Sequence, residues 1–382
     1  MGSIHARAIC GGKIPRARLA AVSDPAADLS GYAPDAKVFP STEEMIRSGE
    51  IDAILIATPH FSHTTIGIDA LEQGLHVLVE KPISVHKADA ERLIAAHTNP
   101  RQIFGALFNQ RTDPHYTKIR DLIQTGELGE IRRVTWLITN WFRSQAYYNS
   151  SGWRATWSGE GGGVLLNQCP HHLDLFQWLF GMPSKVRAHC QFARFHDIEV
   201  EDDVTAFCEY PNGMTGTIIT STGEAPGTNR LEIAAERGRL VLEDEKISWK
   251  RNDIPTSEFC RTSSSGYATP TTCNIEIPIQ GSGEQHNGIL NNFVSAVLDG
   301  TPLIAPAEEG RHSVELANAM LMSTFLEKRI ELPLDGAAYE ALLQKKIATS
   351  KGNEKLARIP FSPKLTDKFG RPLDKHPSYS QP

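Results

Sequence analysis

Two units of different style are expected from this sequence: an α/β unit with a doubly wound parallel sheet over residues 1–112, and an α+β unit with a large, mainly antiparallel sheet over residues 113–346. Three observations carry that reading. The chain has 382 residues, and at about 150 residues per domain this favours two. From Arg18 to Gly105 short apolar runs alternate with helical patterns, which indicates right-handed βαβ crossovers and a sheet covered on both faces. Beyond Asp113 long stretches of alternating, β-branched residues take over, the mark of strands with one buried face. Residues 347–382 are polar, Lys- and Pro-rich and without periodicity, so a surface arm or partly disordered tail is expected there.

Taken in order, a helix over Ser3–Gly11 precedes a strand over Leu19–Val22 that ends at Ser23-Asp24-Pro25. Thr42–Ser48 is a short helix, and Ile51–Ala57 reads as a buried strand of Ile, Leu and Ala. A helix over Thr64–Gln73 stops at Gly74; His76–Glu80 is a strand, Lys87–His97 a helix and Ile103–Leu107 a strand. In the second unit a helix over Pro114–Thr125 leads to strands at Ile131–Asn140, Val186–Arg194, Asp203–Tyr210, Thr215–Ser221, Arg230–Ala235 and Leu240–Leu242. Pro211-Asn212-Gly213 and Glu236-Arg237-Gly238 read as hairpin turns in which glycine supplies the positive φ. Two amphipathic helices, Gln285–Leu298 and Glu308–Phe325, follow.

Composition narrows the function classes. Lys+Arg 39 against Asp+Glu 45 gives a net charge of −6, which offers no counter-charge to a phosphate backbone and argues against a nucleic-acid partner. Hydrophobic residues at 40% with charged residues at 22% exclude wholesale disorder. No apolar run approaches the roughly 18 residues of a membrane span, and Met1-Gly2-Ser3-Ile4-His5-Ala6-Arg7 holds no apolar signal core. A soluble, cytoplasmic protein without a membrane partner is the expectation. Six cysteines with no C-x-x-C suit reduced thiols.

A parallel α/β unit without a Walker motif raises dinucleotide binding, whose mark is a strand, G-x-G-x-x-G and a helix N-terminus for the pyrophosphate. Here only a fragment is present: Gly2 opens a helix and Asp24 ends the next strand 22 positions later. The first strand and two glycines are lacking, so the expectation is that Met1 is an internal methionine and the chain begins upstream, a shortened product being the alternative. A carboxylate at Asp24 would accept from both ribose hydroxyls and repel a 2′-phosphate, favouring NAD over NADP. As an alternative, Asp24-Pro25 simply ends a strand.

Two further segments carry chemistry. Glu80-Lys81-Pro82 sits at the carboxyl end of an expected strand, the edge where open α/β sheets bind ligands. A lysine there can donate to a hydroxyl or carbonyl oxygen at a reacting carbon, with the proline fixing the backbone; otherwise it is a surface lysine before a helix-starting proline. In Gly161-Gly162-Gly163-Val164-Leu165-Leu166-Asn167-Gln168-Cys169-Pro170-His171-His172-Leu173-Asp174, Asn167, His171 and Asp174 share one helical face if the helix begins early enough, although Pro170 more naturally occupies its first turn. A neutral histidine is the natural acceptor of an alcohol proton; capping or packing is the alternative role of His171 and His172. Cys169, His171, His172 and Asp174 crowd adjacent donors that point apart, so no metal is expected. Tyr147, Trp153 and Arg154 offer an aromatic face and a cation to a sugar, Trp153 being equally a core candidate.

In their order along the chain, Asp24, Ala57-Thr58-Pro59-His60 with His63, Glu80-Lys81-Pro82, Asn109-Gln110-Arg111, Trp153-Arg154, Gly161-Gly162-Gly163 with His171 and Asp174, and Glu201-Asp202-Asp203 resemble the Gfo/Idh/MocA family, the glucose-fructose oxidoreductase and inositol dehydrogenase group. The resemblance implies an N-terminal Rossmann domain lacking its first strand, a C-terminal open sheet used for homodimers or homotetramers, and NAD(P)-linked oxidation or reduction of a sugar, glycoside or cyclitol. It implies a nucleotide site at Gly2, Asp24, Thr58, Pro59, His60, His63, Glu80, Lys81, Asn109 and Arg111, with NAD preferred. It implies substrate contacts at Trp153, Arg154, Asn167 and His171, and catalysis by Lys81 and His171 with Asn167. The family commonly has Asp where Asn167 stands; an amide cannot stabilise an imidazolium by charge, so His171 is expected to be a weaker base than with Asp unless another carboxylate substitutes, Asp174 being a candidate and a structural role in the helix its alternative. Two other readings are a glycoside-cleaving enzyme working by transient oxidation and elimination, and a catalytically silent binding protein on the same fold.

Overall fold

The computed structural model describes residues 1–25 and 35–352. Its first unit runs α1 (Gly2–Cys10), β1 (Ala21–Val22), β2 (Lys37–Val38), α2 (Thr42–Arg47), β3 (Ala53–Ile56), α3 (His60–Glu72), β4 (His76–Val79), α4 (Lys87–Ala95) and β5 (Phe104–Ala106). The near-continuous apolar strands are buried on both faces and therefore pair in parallel, β3 to β4 to β5, with Ala53 opposite His76 and Val77 opposite Phe104. β1 and β2 form a separate parallel pair. The expected strand over Leu19–Val22 is thus reduced to the two residues that meet a partner. α3 starts at His60, ahead of the Thr64 start expected from periodicity, because Pro59 sets the entry and its carbonyl accepts from Ser62 N–H at 3.0 Å.

The second unit contains α5 (Pro114–Gln124), β6 (Ile131–Ile138), α6 (Gln145–Tyr148), α7 (Pro170–Phe180), β7 (Lys185–Phe192), β8 (Glu201–Glu209), β9 (Thr215–Ser221), β10 (Asn229–Ala235), β11 (Gly238–Glu243), β12 (Lys246–Asn252), α8 (Thr256–Thr262), β13 (Thr272–Ile277), α9 (Gln285–Asp299), α10 (Ala307–Phe325), β14 (Ile330–Glu331) and α11 (Gly336–Ile347). One sheet holds nine strands in the order β13-β12-β11-β10-β6-β9-β8-β7-β14, antiparallel except at β6–β9. The turn at Gly238 requires glycine: its φ is +111°, and a Cβ there would lie 2.1 Å from the Lys250 carbonyl oxygen.

Helices α7 and α10 cover one face of this sheet, joining Leu173, Phe176, Leu316 and Met320 to Trp136, Val204 and Ile218 in one core. The other core lies around β3–β5 and takes in Ile289, Leu290 and Phe293 of α9. Residues 285–299, expected with the second unit, therefore pack into the first. Strands β12 and β13 and helices α8 and α11 have no counterpart in the sequence reading. The alternation of Ile247 and Trp249 is masked by Lys246, Lys250 and Arg251, β13 is an exposed edge, and α8 buries no residue. The expected tail lies outside the described residues from position 353 onward. No helix among the described residues is long and apolar enough to cross a membrane.

Candidate active site

The carboxyl ends of β3, β4 and β5 present Thr58, Glu80-Lys81 and Asn109 along one edge, as parallel pairing requires. The Lys81–Pro82 peptide is cis. Glu80 is only 4% exposed; its Oε1 lies 2.7 Å from Nε2 of His5 on α1, and its Oε2 accepts from the Lys81 backbone N–H at 3.2 Å. Burial pushes the Glu80 carboxyl up, but the His5 hydrogen bond and the charges of His5 and Lys81 outweigh it and hold the group below the usual carboxylate range. His286, at the start of α9, has its ring centroid 5.6 Å from that of His5. Burial, together with His5 and Lys81, pushes its imidazole down to about 4 against the pull of Glu80.

Lys81 reaches across to the second unit. Its Nζ donates to the main-chain carbonyl of Asn167 at 2.8 Å. Burial lowers the amine's affinity for its proton; Glu80 and Glu160 oppose that, and Arg154 and Arg143 reinforce it. The Asn167 side chain donates through Nδ2 to Glu160 Oε1, and its Oδ1 accepts from the Tyr147 hydroxyl at 3.3 Å. Glu160 is 1% exposed, accepts from Ala155 N–H at 2.7 Å and is pushed up by burial. His171, the second residue of α7, has its edge on Phe108 and a buried Nδ1 without a hydrogen-bond partner. Burial first, then Lys81, His286 and His172, press its imidazole well below the ordinary value. A neutral ring with an open nitrogen is able to accept a proton.

The glycine-rich segment explains how these groups meet. Glu201 at the start of β8 accepts from Gly163 N–H at 2.8 Å and Leu165 N–H at 3.1 Å, and a Cβ on Gly163 would lie 2.0 Å from the Glu201 carbonyl oxygen. The chain therefore presses against β8 and turns before α7 begins at Pro170. Asn167 lies in that turn, so the expected helical face shared by Asn167, His171 and Asp174 does not form. Asp174 also takes a different partner: its oxygens accept from Arg111 at 2.6 and 2.7 Å. The carboxylate beside Asn167 is Glu160, and of the two roles open to Asp174 its pairing with Arg111 is the structural one. Arg111, grouped by sequence with the nucleotide residues, is 3% exposed and bonded to Asp174, Glu309 and the Ile304 carbonyl.

The remaining sequence-chosen residues divide by position. His60 lies with its Nδ1 3.4 Å from the Glu160 carbonyl and its ring 6.1 Å from Trp153. The His63 ring nitrogens sit 2.8 Å from the carbonyls of Pro82 and Thr58, and His63 lies inside the first turn of α3. The Arg154 guanidinium lies 4.6 Å from both the Tyr147 and Trp153 rings. His172 is buried between Trp136 and Trp141, and burial pushes the Cys169 thiol up to about 12, so both belong to the core. Gly2 opens α1 beside Ala57, and Asp24 is exposed after β1. His5, His286 and Glu160 escaped the sequence reading. His5 follows Gly2 within one helical turn, a usable signal; His286 and Glu160 had none, because only packing brings them here.

The buried Ser23 Oγ, Thr58 Oγ1 and Asn109 Oδ1, following β1, β3 and β5, lack hydrogen-bond partners, while the N-terminus of α1 presents free backbone N–H groups to the same edge. A donor and acceptor set of this kind fits a dinucleotide.

Comparisons with known proteins agree with this geometry. The model of an oxidoreductase family with an NAD-binding Rossmann fold matches residues 2–106, and the GFO/IDH/MocA C-terminal domain matches residues 116–241. The chain is 25% identical over 347 residues to inositol 2-dehydrogenase of Rhizobium meliloti (strain 1021), covering 87% of this chain and 96% of that one. It is 28% identical over 234 residues to the rhizopine catabolism protein MocA of Rhizobium meliloti, covering 59% and 70%. Of solved structures, the WlbA dehydrogenase from Bordetella pertussis in complex with NADH and UDP-GlcNAcA superposes with a TM-score of 0.74 at 24% identity, covering 87% and 96%. Levoglucosan dehydrogenase in complex with NADH and levoglucosan gives 0.71 at 19% identity, with the same coverage.

Proposed function

We propose, from the premise that this chain belongs to the GFO/IDH/MocA oxidoreductase family and carries its NAD-binding Rossmann domain, that it exchanges a hydride with a secondary hydroxyl carbon of a sugar, glycoside or cyclitol. The observation that carries this reading is the convergence of Lys81 and His171, 90 positions apart in sequence: Lys81 Nζ donates at 2.8 Å to the carbonyl of Asn167, in the turn that leads into His171, and the lysine's charge helps to press the His171 imidazole toward its neutral form. Gly2, Asp24, Thr58, Pro59, His60, His63, Glu80 and Asn109 would hold the dinucleotide, and Arg111, bonded to Asp174 and Glu309, would fix the turn that carries Asn109. Bound NAD supplies a hydride acceptor, and NADH the donor in the reverse direction. Lys81 donates to the substrate oxygen and stabilises charge developing there. His171 accepts the hydroxyl proton at its open nitrogen. Trp153 and Arg154 flank the sugar, the ring against C–H faces and the guanidinium toward oxygens, with Asn167 contacting a further hydroxyl.

Relatives support the substrate class, since they carry the names inositol 2-dehydrogenase and levoglucosan dehydrogenase. A homodimer or homotetramer through the open sheet face is supported by Phe207 of β8, 43% exposed there, and a cytoplasmic setting by six free thiols. The test is NAD reduction on a panel of cyclitols, anhydrosugars and glycosides. Lys81→Met and His171→Ala should each lower kcat by about a hundredfold, with NAD affinity and Tm little changed. The double variant should lose far less than the product of the two, because groups serving one transition state are not additive. Full turnover by either single variant on a substrate of the parent would remove that residue from the mechanism.

A further inference from the structure

We propose that Glu160 is the positioning residue of this site: its carboxylate fixes Asn167 so that the Asn167 carbonyl holds Lys81, and its negative charge keeps Lys81 an ammonium at the reacting oxygen. The inference rests on the assignment of Lys81 above. Its physical basis is a chain of contacts. Glu160 Oε2 is anchored by Ala155 N–H at 2.7 Å, Oε1 accepts from the Asn167 amide, and the Asn167 backbone accepts from Lys81 Nζ at 2.8 Å. Fixing the amide in this way turns its Oδ1 toward Tyr147, whose hydroxyl also accepts from Arg154 at 2.8 Å. The carboxylate is 1% exposed, and a neutral glutamine at this place would cost less desolvation than the buried charge does.

The charges around Lys81 show why a buried anion matters. Arg154, Arg143 and the Met1 amino group repel a proton from it, and Glu80 and Glu160 retain it. His60, His63, His171 and His286 face the same amine, all with burial pressing them toward the neutral form. Glu80 already shares its charge with His5 at 2.7 Å. Glu160 has Arg154 at 3.8 Å and Glu201 within electrostatic reach. Removing Glu160 would therefore leave Lys81 with one carboxylate against two guanidinium groups.

The experiment reads Lys81 directly and needs no substrate turnover, so it stands apart from the dehydrogenase assay. Acetic anhydride, which reacts with free amine, is applied across a pH series, and acetylation of the peptide carrying Lys81 is measured by mass spectrometry. In Glu160→Gln the titration midpoint should fall by about one pH unit, giving about tenfold faster labelling at a fixed pH below it. A folded Glu160→Gln protein with the parent's midpoint would overturn the proposal. Glutamine has one oxygen for two donors, so this variant loses a hydrogen bond. Glu160→Gln with Asn167→Asp restores it, the new carboxylate accepting from the glutamine amide, and places the charge on the residue that Lys81 touches. In that double variant the midpoint should return to the parent's value or above. A midpoint that stays low there, or failure of both variants to fold, would make Glu160 a packing residue and overturn the proposal.

Discussion

Asp24 is the single residue on which the proposed preference for NAD turns. It is exposed, two residues past the end of β1, and under the proposed function its carboxylate would accept from ribose hydroxyls and repel a 2′-phosphate. Asp24→Ser should raise the NADP to NAD ratio of kcat/KM by about tenfold, which corresponds to about 1.4 kcal/mol. Kinetics with both cofactors measures it, and an unchanged ratio would take Asp24 out of the ribose site. Lys81, His171 and Asp24 can each be singled out as candidates from sequence, because a motif or a strand end marks them. Glu160 cannot, since its meaning comes from the amide of Asn167 lying against it and from nothing in its own neighbourhood of sequence.

At the scale of elements, the segment from Glu160 to Phe180 is where local pattern and tertiary packing part company. Three glycines and a proline announce a close approach followed by a helix, and both occur. The i, i+4, i+7 alignment of Asn167, His171 and Asp174 fails because Pro170 starts α7 and leaves Asn167 in the preceding turn. Gly163 is where that segment presses on the backbone of β8. A methyl group there would meet the Glu201 carbonyl oxygen at 2.0 Å, and backbone cannot swing aside as a side chain can. Gly163→Ala should cost about 3 kcal/mol in urea unfolding and displace Asn167 from Lys81. A variant as stable as the parent would show that β8 and the loop do not press on each other as described.

For the whole molecule, the joint between the two units is a buried ion network. Arg111, in the turn after β5, is gripped by Asp174 of α7 and Glu309 of α10 with both Arg111 and Asp174 side chains 1% exposed. A buried pair adds little net stability over apolar packing, yet removing one partner strands the other. Asp174→Leu should lower stability by about 3 kcal/mol, read by chemical denaturation, and weaken NAD binding because Lys81 and His171 sit on opposite sides of this joint. A loss below about 1 kcal/mol would rank the network with surface ion pairs. The α9 helix strengthens the same joint, carrying Phe293 into the core of β3–β5 and His286 to the side of His5.

Local sequence suffices for the alternation of strands and helices in the first unit, the antiparallel character of the second, the glycine turn and the residues at the strand ends, because these depend on periodicities of two and 3.6 residues and on backbone freedom within a few positions. Tertiary structure alone decided that α9 packs with the first core, that Asp174 serves Arg111, and that Glu160 is the carboxylate at Asn167. Each of those outcomes depends on distances between segments far apart in the chain, and burial makes the choice of partner for a charged side chain a property of the packed whole.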